Sequence, residues 1–219
     1  MAADIANEGA RLRSAIEERL RGSVPGGDPF LPHMVERTPE DLAALRELLP
    51  TELSRAAVLV PVVEREQGLT VLLTRRASQL KRHAGQVSFP GGRIEAGDQG
   101  PWAAALREAE EELGIRGADV ELLGAMERVP TVTGFCIQPF VARIPRDARF
   151  HLDGFEVAET FDAPLSAFTD LSRYRAAGTT FLGKPYMVYF LDYDRFTIWG
   201  ATARILHSLA ELALRLPNC

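Results

Sequence analysis

Three carboxylates lie on one stretch of chain at a spacing that could hold a metal. Glu108, Glu111 and Glu112 occupy positions i, i+3 and i+4, which are neighbours on a helix surface. Like charges at that spacing repel and cost a helix about 0.2–0.5 kcal/mol per pair. A hard divalent cation relieves the repulsion. Carboxylate oxygens suit Mg2+ or Mn2+, which keep waters and bridge to phosphate. By spacing alone, the run also fits a solvated acidic face with Arg107 as a surface partner. Two neighbours favour the metal. Gly91 and Gly92 bring bare backbone toward the helix, where a carbonyl can join the metal shell. Arg107, immediately before the first acid, can grip a carboxylate bidentately.

A second group carries the opposite sign. Arg75, Arg76, Lys81, Arg82 and His83 place up to five cationic groups within nine residues. The chain as a whole has a formal net charge of −5, so this is a local patch suited to an anion such as phosphate. Part of the cluster also fits a solvated surface at the exit of a strand.

The acids need a helix, and residues 101–113 read as one. Pro101 suits its first turn and Gly114 its end. Trp102, Leu106, Ala109 and Leu113 recur at helical spacing and form an apolar stripe, with the three acids beside it. Upstream, Ala57–Val63 and Leu69–Thr74 read as strands around a Gln67-Gly68 turn, followed by a short strand at 86–89. Further strands are expected at 119–128, 135–144 and 186–192. A short strand and helix are expected within 155–169, and a last helix over about 200–215. Trp199 is expected to pack that helix on the core. Residues 3–21 read as an amphipathic helix ended by Gly22. Residues 22–37 are rich in Gly and Pro and read as a linker. Thr38 caps a second helix that runs to about Leu49. Residues 1–50 thus form an N-terminal helical extension and residues 51–219 the main domain. The mixture of strands and helices without strict βαβ alternation indicates an α+β fold.

Composition narrows the function classes. An acidic balance argues against general affinity for nucleic acid. No apolar run is long enough to span a bilayer, so no membrane association is expected. The only two cysteines, Cys136 and Cys219, form neither a zinc pattern nor a disulfide framework, which fits a cytoplasmic protein. His33, His151 and His207 are scattered and are expected to be structural or on the surface. A homodimer is compatible with the sequence without being specified by it.

Arg107-Glu108-Ala109-Glu110-Glu111-Glu112-Leu113-Gly114-Ile115 resembles the end of the Nudix hydrolase box. The start of the box departs from the family pattern. Five residues on from Gly92 lies Asp98 instead of Glu, and eight residues, not seven, separate it from Arg107. The extra residue falls in the loop before the helix. Leu72 to Gly92 is similar to the motif of the coenzyme A diphosphatase branch, with Thr74, Arg76, Ala77, Lys81, Gly85, Phe89, Pro90, Gly91 and Gly92 in register. That branch also carries the longer loop.

The resemblance implies a Nudix fold, a mixed sheet sandwiched between helices. It implies Mg2+ or Mn2+ held by Glu108, Glu112, Glu111 and the Gly92 carbonyl. It implies catalytic roles for Glu111, Arg107 and Glu159. The general base is Glu111 from the box, or Glu156 or Glu159 from a later loop. Arg75, Arg76, Lys81 and Arg82 are implied to bind substrate. The reaction is hydrolysis of the diphosphate of coenzyme A, or of its derivatives, to 4′-phosphopantetheine and adenosine 3′,5′-bisphosphate. Alternatives within the family are an oxidised nucleoside triphosphate, ADP-ribose, or a binding module without catalysis.

Overall fold

The structure is a computed structural model that describes residues 2–21, 23, 47, 49–65, 68–181 and 184–214. In chain order the elements are α1 (Ala2–Leu20), β1 (Ser54–Arg65), β2 (Gly68–Arg76), β3 (Val87–Ser88), β4 (Gly91–Arg93), α2 (Pro101–Leu113) and β5 (Glu121–Ala125). Then follow β6 (Val129–Pro130), β7 (Phe135–Ile144), β8 (Val157–Pro164), β9 (Arg175–Phe181), β10 (Lys184–Tyr193), β11 (Phe196–Trp199) and α3 (Gly200–Leu214). The linker expected over 22–37 and the helix expected from Thr38 to Leu49 fall almost wholly outside the described residues.

The main sheet runs β3-β2-β1-β7-β5, with β4 also paired to β1, β6 to β7 and β8 to β2. β1 and β7 are parallel, and the other pairs are antiparallel. β1 is central and buried on both faces, which suits its run of Val and Leu. Alternation along the strand sorts its side chains. Leu59 and Val63 meet Ala109 and Leu113 of α2 on one face. Val60 and Val62 meet residues of α1 and α3 on the other. The sheet is therefore sandwiched between helices, as expected. A second, three-stranded antiparallel sheet, β11-β10-β9, stands beside it.

α1 joins the main core. Leu12, Ile16 and Leu20 are buried in the same cluster as Leu206 and Leu209 of α3. Burying each such side chain contributes about 1.5–3 kcal/mol, which binds the helix firmly to the sheet.

Two sequence expectations need correction, and two strands were not foreseen. Leu106 is only half-buried, and Ala104 and Ala105 join Ala109 and Leu113 as the fully buried apolar positions of α2. Small residues there let the helix axis approach the sheet closely. Trp199 is 41% exposed and stacks on Phe190 with ring centroids 6.2 Å apart; its neighbour Ile198 is the residue buried against α3. β9 and β11 carry no clear signal in sequence. β9 reads Arg-Ala-Ala-Gly-Thr-Thr-Phe, and its residues 175–180 are all exposed, so no apolar alternation could mark it.

Candidate active site

The ends of α2 follow from its sequence. Pro101 occupies its first turn. Gly114 ends it in the left-handed conformation at φ 69°, and its N–H caps the carbonyls of Ala109 and Glu110. The next residue, Ile115, is buried against the same core. The end of the helix is thus pinned, and the acids one turn before it hold a defined orientation.

The three acids differ sharply. Glu112 is buried, at 4% exposure. It lies on the sheet-facing side, among residues that sequence periodicity assigns to the core. Burial pushes its carboxyl up to about 8, against the opposing pull of Arg76 and of a hydrogen bond from the Gly91 N–H, with Glu108 and Glu156 adding to the rise. Arg76 Nη1 stands 3.9 Å from Glu112 Oε1. Glu108 is half-buried. Desolvation raises its carboxyl, Arg107 opposes the rise, and Glu111 and Glu156 reinforce it. Glu111 is 60% exposed.

Arg107 organises this group. Its Nε and Nη2 donate to Asp98 Oδ1 at 3.0 Å and Oδ2 at 3.2 Å. Nη1 donates to Glu108 Oε1 and Glu111 Oε2, both at 3.0 Å. Nη2 also donates to the Arg93 carbonyl at 3.0 Å. The Arg107 guanidinium holds the Asp98 carboxyl below the usual range. Asp98 is 6% exposed and also accepts from the Glu95 N–H at 2.7 Å. The longer loop before α2 thus turns back on itself and delivers an Asp to the guanidinium. The sequence flagged position 98 only as a departure from the box, whereas the structure makes it the anchor of Arg107.

Gly92 lies against Glu108. It pairs with Ala57 across β1 and β4, and a Cβ built on it would lie 2.5 Å from Glu108 Cδ. Only a glycine lets the carboxylate rest against the backbone at that point.

The remaining expected residues divide. Ala77 N–H donates to the Glu156 carbonyl at 2.8 Å, which brings the loop carrying Glu156 beside the end of β2. Glu156 stands close enough to Glu108 and Glu112 to oppose their ionisation. Glu159 is not brought to this cluster. In β2, Val71 and Leu73 face α1 and α3, while Leu72 faces α2. Alternation therefore turns Arg75 toward α1 and α3, together with its partner Glu159. There Glu159 Oε1 accepts from Arg75 Nε at 2.5 Å and Oε2 accepts from Arg195. Arg75 and Arg195 hold the Glu159 carboxyl below its ordinary range, which makes it a poor proton acceptor. Arg76 faces α2, whereas Arg75 is committed on the far side. Lys81 and Arg82 are exposed on the loop between β2 and β3. His207 lies between the rings of Tyr174 and Tyr189, with Nδ1 3.5 Å from Glu211 Oε2. His33 lies outside the described residues.

The donor set fits a hard divalent cation. Two desolvated carboxylates lie one helical turn apart with bare backbone beside them, and a cation relieves both desolvation and repulsion. Among the described residues, no three His, Cys, Asp or Glu side chains are already closed around a common point. The Arg107 guanidinium instead bridges Glu108 and Glu111.

The linkage at Glu112 has a testable sign. Its carboxyl is raised from 4.5 to about 8 in the folded chain, so folding takes up a proton between those values. Metal-free stability is then fully supported below 4.5 and is lost as pH rises through 8. The variant Glu112→Gln should match the wild type near pH 4.5 and unfold at a higher temperature above pH 8 in chelator. A difference in melting temperature that does not vary with pH would contradict this.

Comparison with known proteins identifies the family. The family model described as NUDIX domain matches residues 53–170. The protein called Uncharacterized Nudix hydrolase NudL from Enterobacter sp. (strain 638) is 42% identical over 181 residues, spanning 79% of this chain and 93% of that protein. A protein of the same name from Citrobacter koseri is 43% identical over 157 residues, spanning 71% and 81%. Among solved structures, an Ap4A hydrolase binary complex from C. elegans is similar at 20% identity with a TM-score of 0.44, covering 51% of this chain and 80% of that one. The chain belongs to the Nudix family. It is a hydrolase acting on phosphoric anhydride bonds, in a family whose members generally use divalent ions such as Mg2+ or Mn2+. Among the described residues, no helix is long and apolar enough to cross a membrane.

Proposed function

We propose that the chain hydrolyses the diphosphate bond of coenzyme A or a derivative, releasing 4′-phosphopantetheine and adenosine 3′,5′-bisphosphate. The observation that carries this reading is one juxtaposition. The basic loop leaves β2 at Arg76, 3.9 Å from Glu112, so a cationic surface adjoins the acidic helix. A substrate with a diphosphate and a further phosphate matches both parts.

Glu108, Glu112, Glu111 and the Gly92 carbonyl are the residues that hold the cation. When bound, the cation neutralises charge on the phosphoryl oxygens and makes a coordinated water more acidic. Arg107 orients Glu108 and Glu111 through one shared nitrogen. Glu111 is the exposed member and can reach solvent to accept the proton of the attacking water. Glu156 is the second carboxylate placed to do so. Arg76 lies where it meets the diphosphate, while Lys81 and Arg82 project from the loop toward a more distant phosphate.

The test compares wild type, Lys81→Gln, Arg82→Gln and Arg76→Gln against coenzyme A and its 3′-dephospho form. A charge-assisted contact to a phosphate contributes about 1.5–3 kcal/mol only when that phosphate is present. On an exposed loop the lower end applies. Lys81→Gln or Arg82→Gln should therefore shrink the preference for coenzyme A about tenfold in kcat/KM. Arg76→Gln should slow both substrates alike. Hydrolysis confined to ADP-ribose or oxidised nucleoside triphosphates would overturn the coenzyme A reading and leave the family chemistry intact.

A further inference from the structure

We infer that Phe155 is the platform on which the adenine of the substrate stacks, a specificity-determining contact that deepens the coenzyme A reading and rests on it. Phe155 is 67% exposed, more than any other large hydrophobic side chain described. A ring left in water on a loose loop would call for no explanation, but this loop is tied on both sides. The Phe155 N–H donates to Asp153 Oδ1 at 2.9 Å. Gln79 Nε2, from the basic loop, donates to the Phe155 carbonyl at 2.9 Å and to the Gly154 carbonyl at 3.3 Å. The Asp153 N–H donates to the Glu112 carbonyl at 3.0 Å. Phe155 is thus held where the end of the acidic helix meets the basic loop, one residue before Glu156.

Position selects the half of the substrate. The loop that braces Phe155 through Gln79 also carries Lys81 and Arg82, so the phosphate-bearing nucleoside is the half brought beside the ring. A purine presents a flat π face to an aromatic side chain, and such stacking needs no hydrogen-bond partner. The amides of a pantetheine arm require polar partners that an exposed phenyl ring cannot supply.

The experiment isolates the base. Dissociation constants for AMP and for ribose 5-phosphate, which differ only by adenine, are measured by titration calorimetry for wild type, Phe155→Ala and Phe155→Tyr. Wild type should bind AMP more tightly by about tenfold, the scale of one base on one ring. Phe155→Ala should bring the two ligands close to parity, and Phe155→Tyr should restore the ratio. With coenzyme A as substrate, Phe155→Ala should raise KM with little change in kcat. No preference for AMP in wild type, or an equal preference in Phe155→Ala, overturns the stacking assignment. A wild type that prefers AMP but does not cleave coenzyme A overturns the proposed substrate and leaves the stack standing.

Discussion

Glu108→Gln and Glu112→Gln should each lower turnover by about a hundredfold or more at saturating Mg2+ while the fold persists. The two side chains lie one helical turn apart, Glu108 against Gly92 and Glu112 accepting from the Gly91 N–H. They differ from Gln only in charge and in the second acceptor oxygen that a hard cation requires. Metal stabilisation of phosphoryl charge is worth several kcal/mol, and each 1.36 kcal/mol is a factor of ten in rate. The fold should survive because neutral Gln avoids the cost of burying a charge, the cost that raises both carboxyls. Circular dichroism together with steady-state rates across a Mg2+ titration distinguishes the outcomes. Near-wild-type turnover in both variants would remove these residues from the metal site. A loss recovered by tenfold more Mg2+ would assign them to binding affinity alone.

Gly92→Ala should fall nearly as far by a different route. A Cβ at this position would lie 2.5 Å from Glu108 Cδ and 2.7 Å from Oε2. The clash is with the far end of a flexible side chain, so the chain gives way at little cost in stability and the carboxylate leaves its place. Displacement of a reacting group by about 1 Å can cost a hundredfold in rate. The expected result is a melting temperature close to wild type with turnover reduced about a hundredfold. Retained activity would mean that Glu108 works from another position. Gly91→Ala provides the contrast, because its Cβ would lie 2.6 Å from Val58 Cα and so strains the backbone of the central strand.

The acid helix was legible because several local signals agree over a short span. Pro101 and Gly114 mark its ends, and the spacing of Glu108, Glu111 and Glu112 survives any packing that keeps it helical. The strands β1 and β2 were legible for the same reason, since their runs of Val and Leu bury wherever they pair. Where local signals were absent the reading failed. β9 has no apolar face to reveal it. Trp199 carries a side chain that usually packs inside, yet its place on the short strand β11 turns it outward.

The family, the acidic and basic residues, and the helix that groups the acids could all be read along the chain. Local spacing is enough for these, because a helix places i and i+4 together whatever surrounds it. Which of those residues lie together depends on packing between elements. Burial separated Glu112 from Glu111, although both have the same side chain and are adjacent in the chain. Strand alternation divided Arg75 from Arg76, sending one to Glu159 on the far face and the other to Glu112. The fold of an irregular loop brought Asp98 to Arg107, where its shorter side chain takes a role that counting along the box left open. Each of these depends on which face of a sheet or helix meets another element. That is a long-range property, and no window of residues contains it.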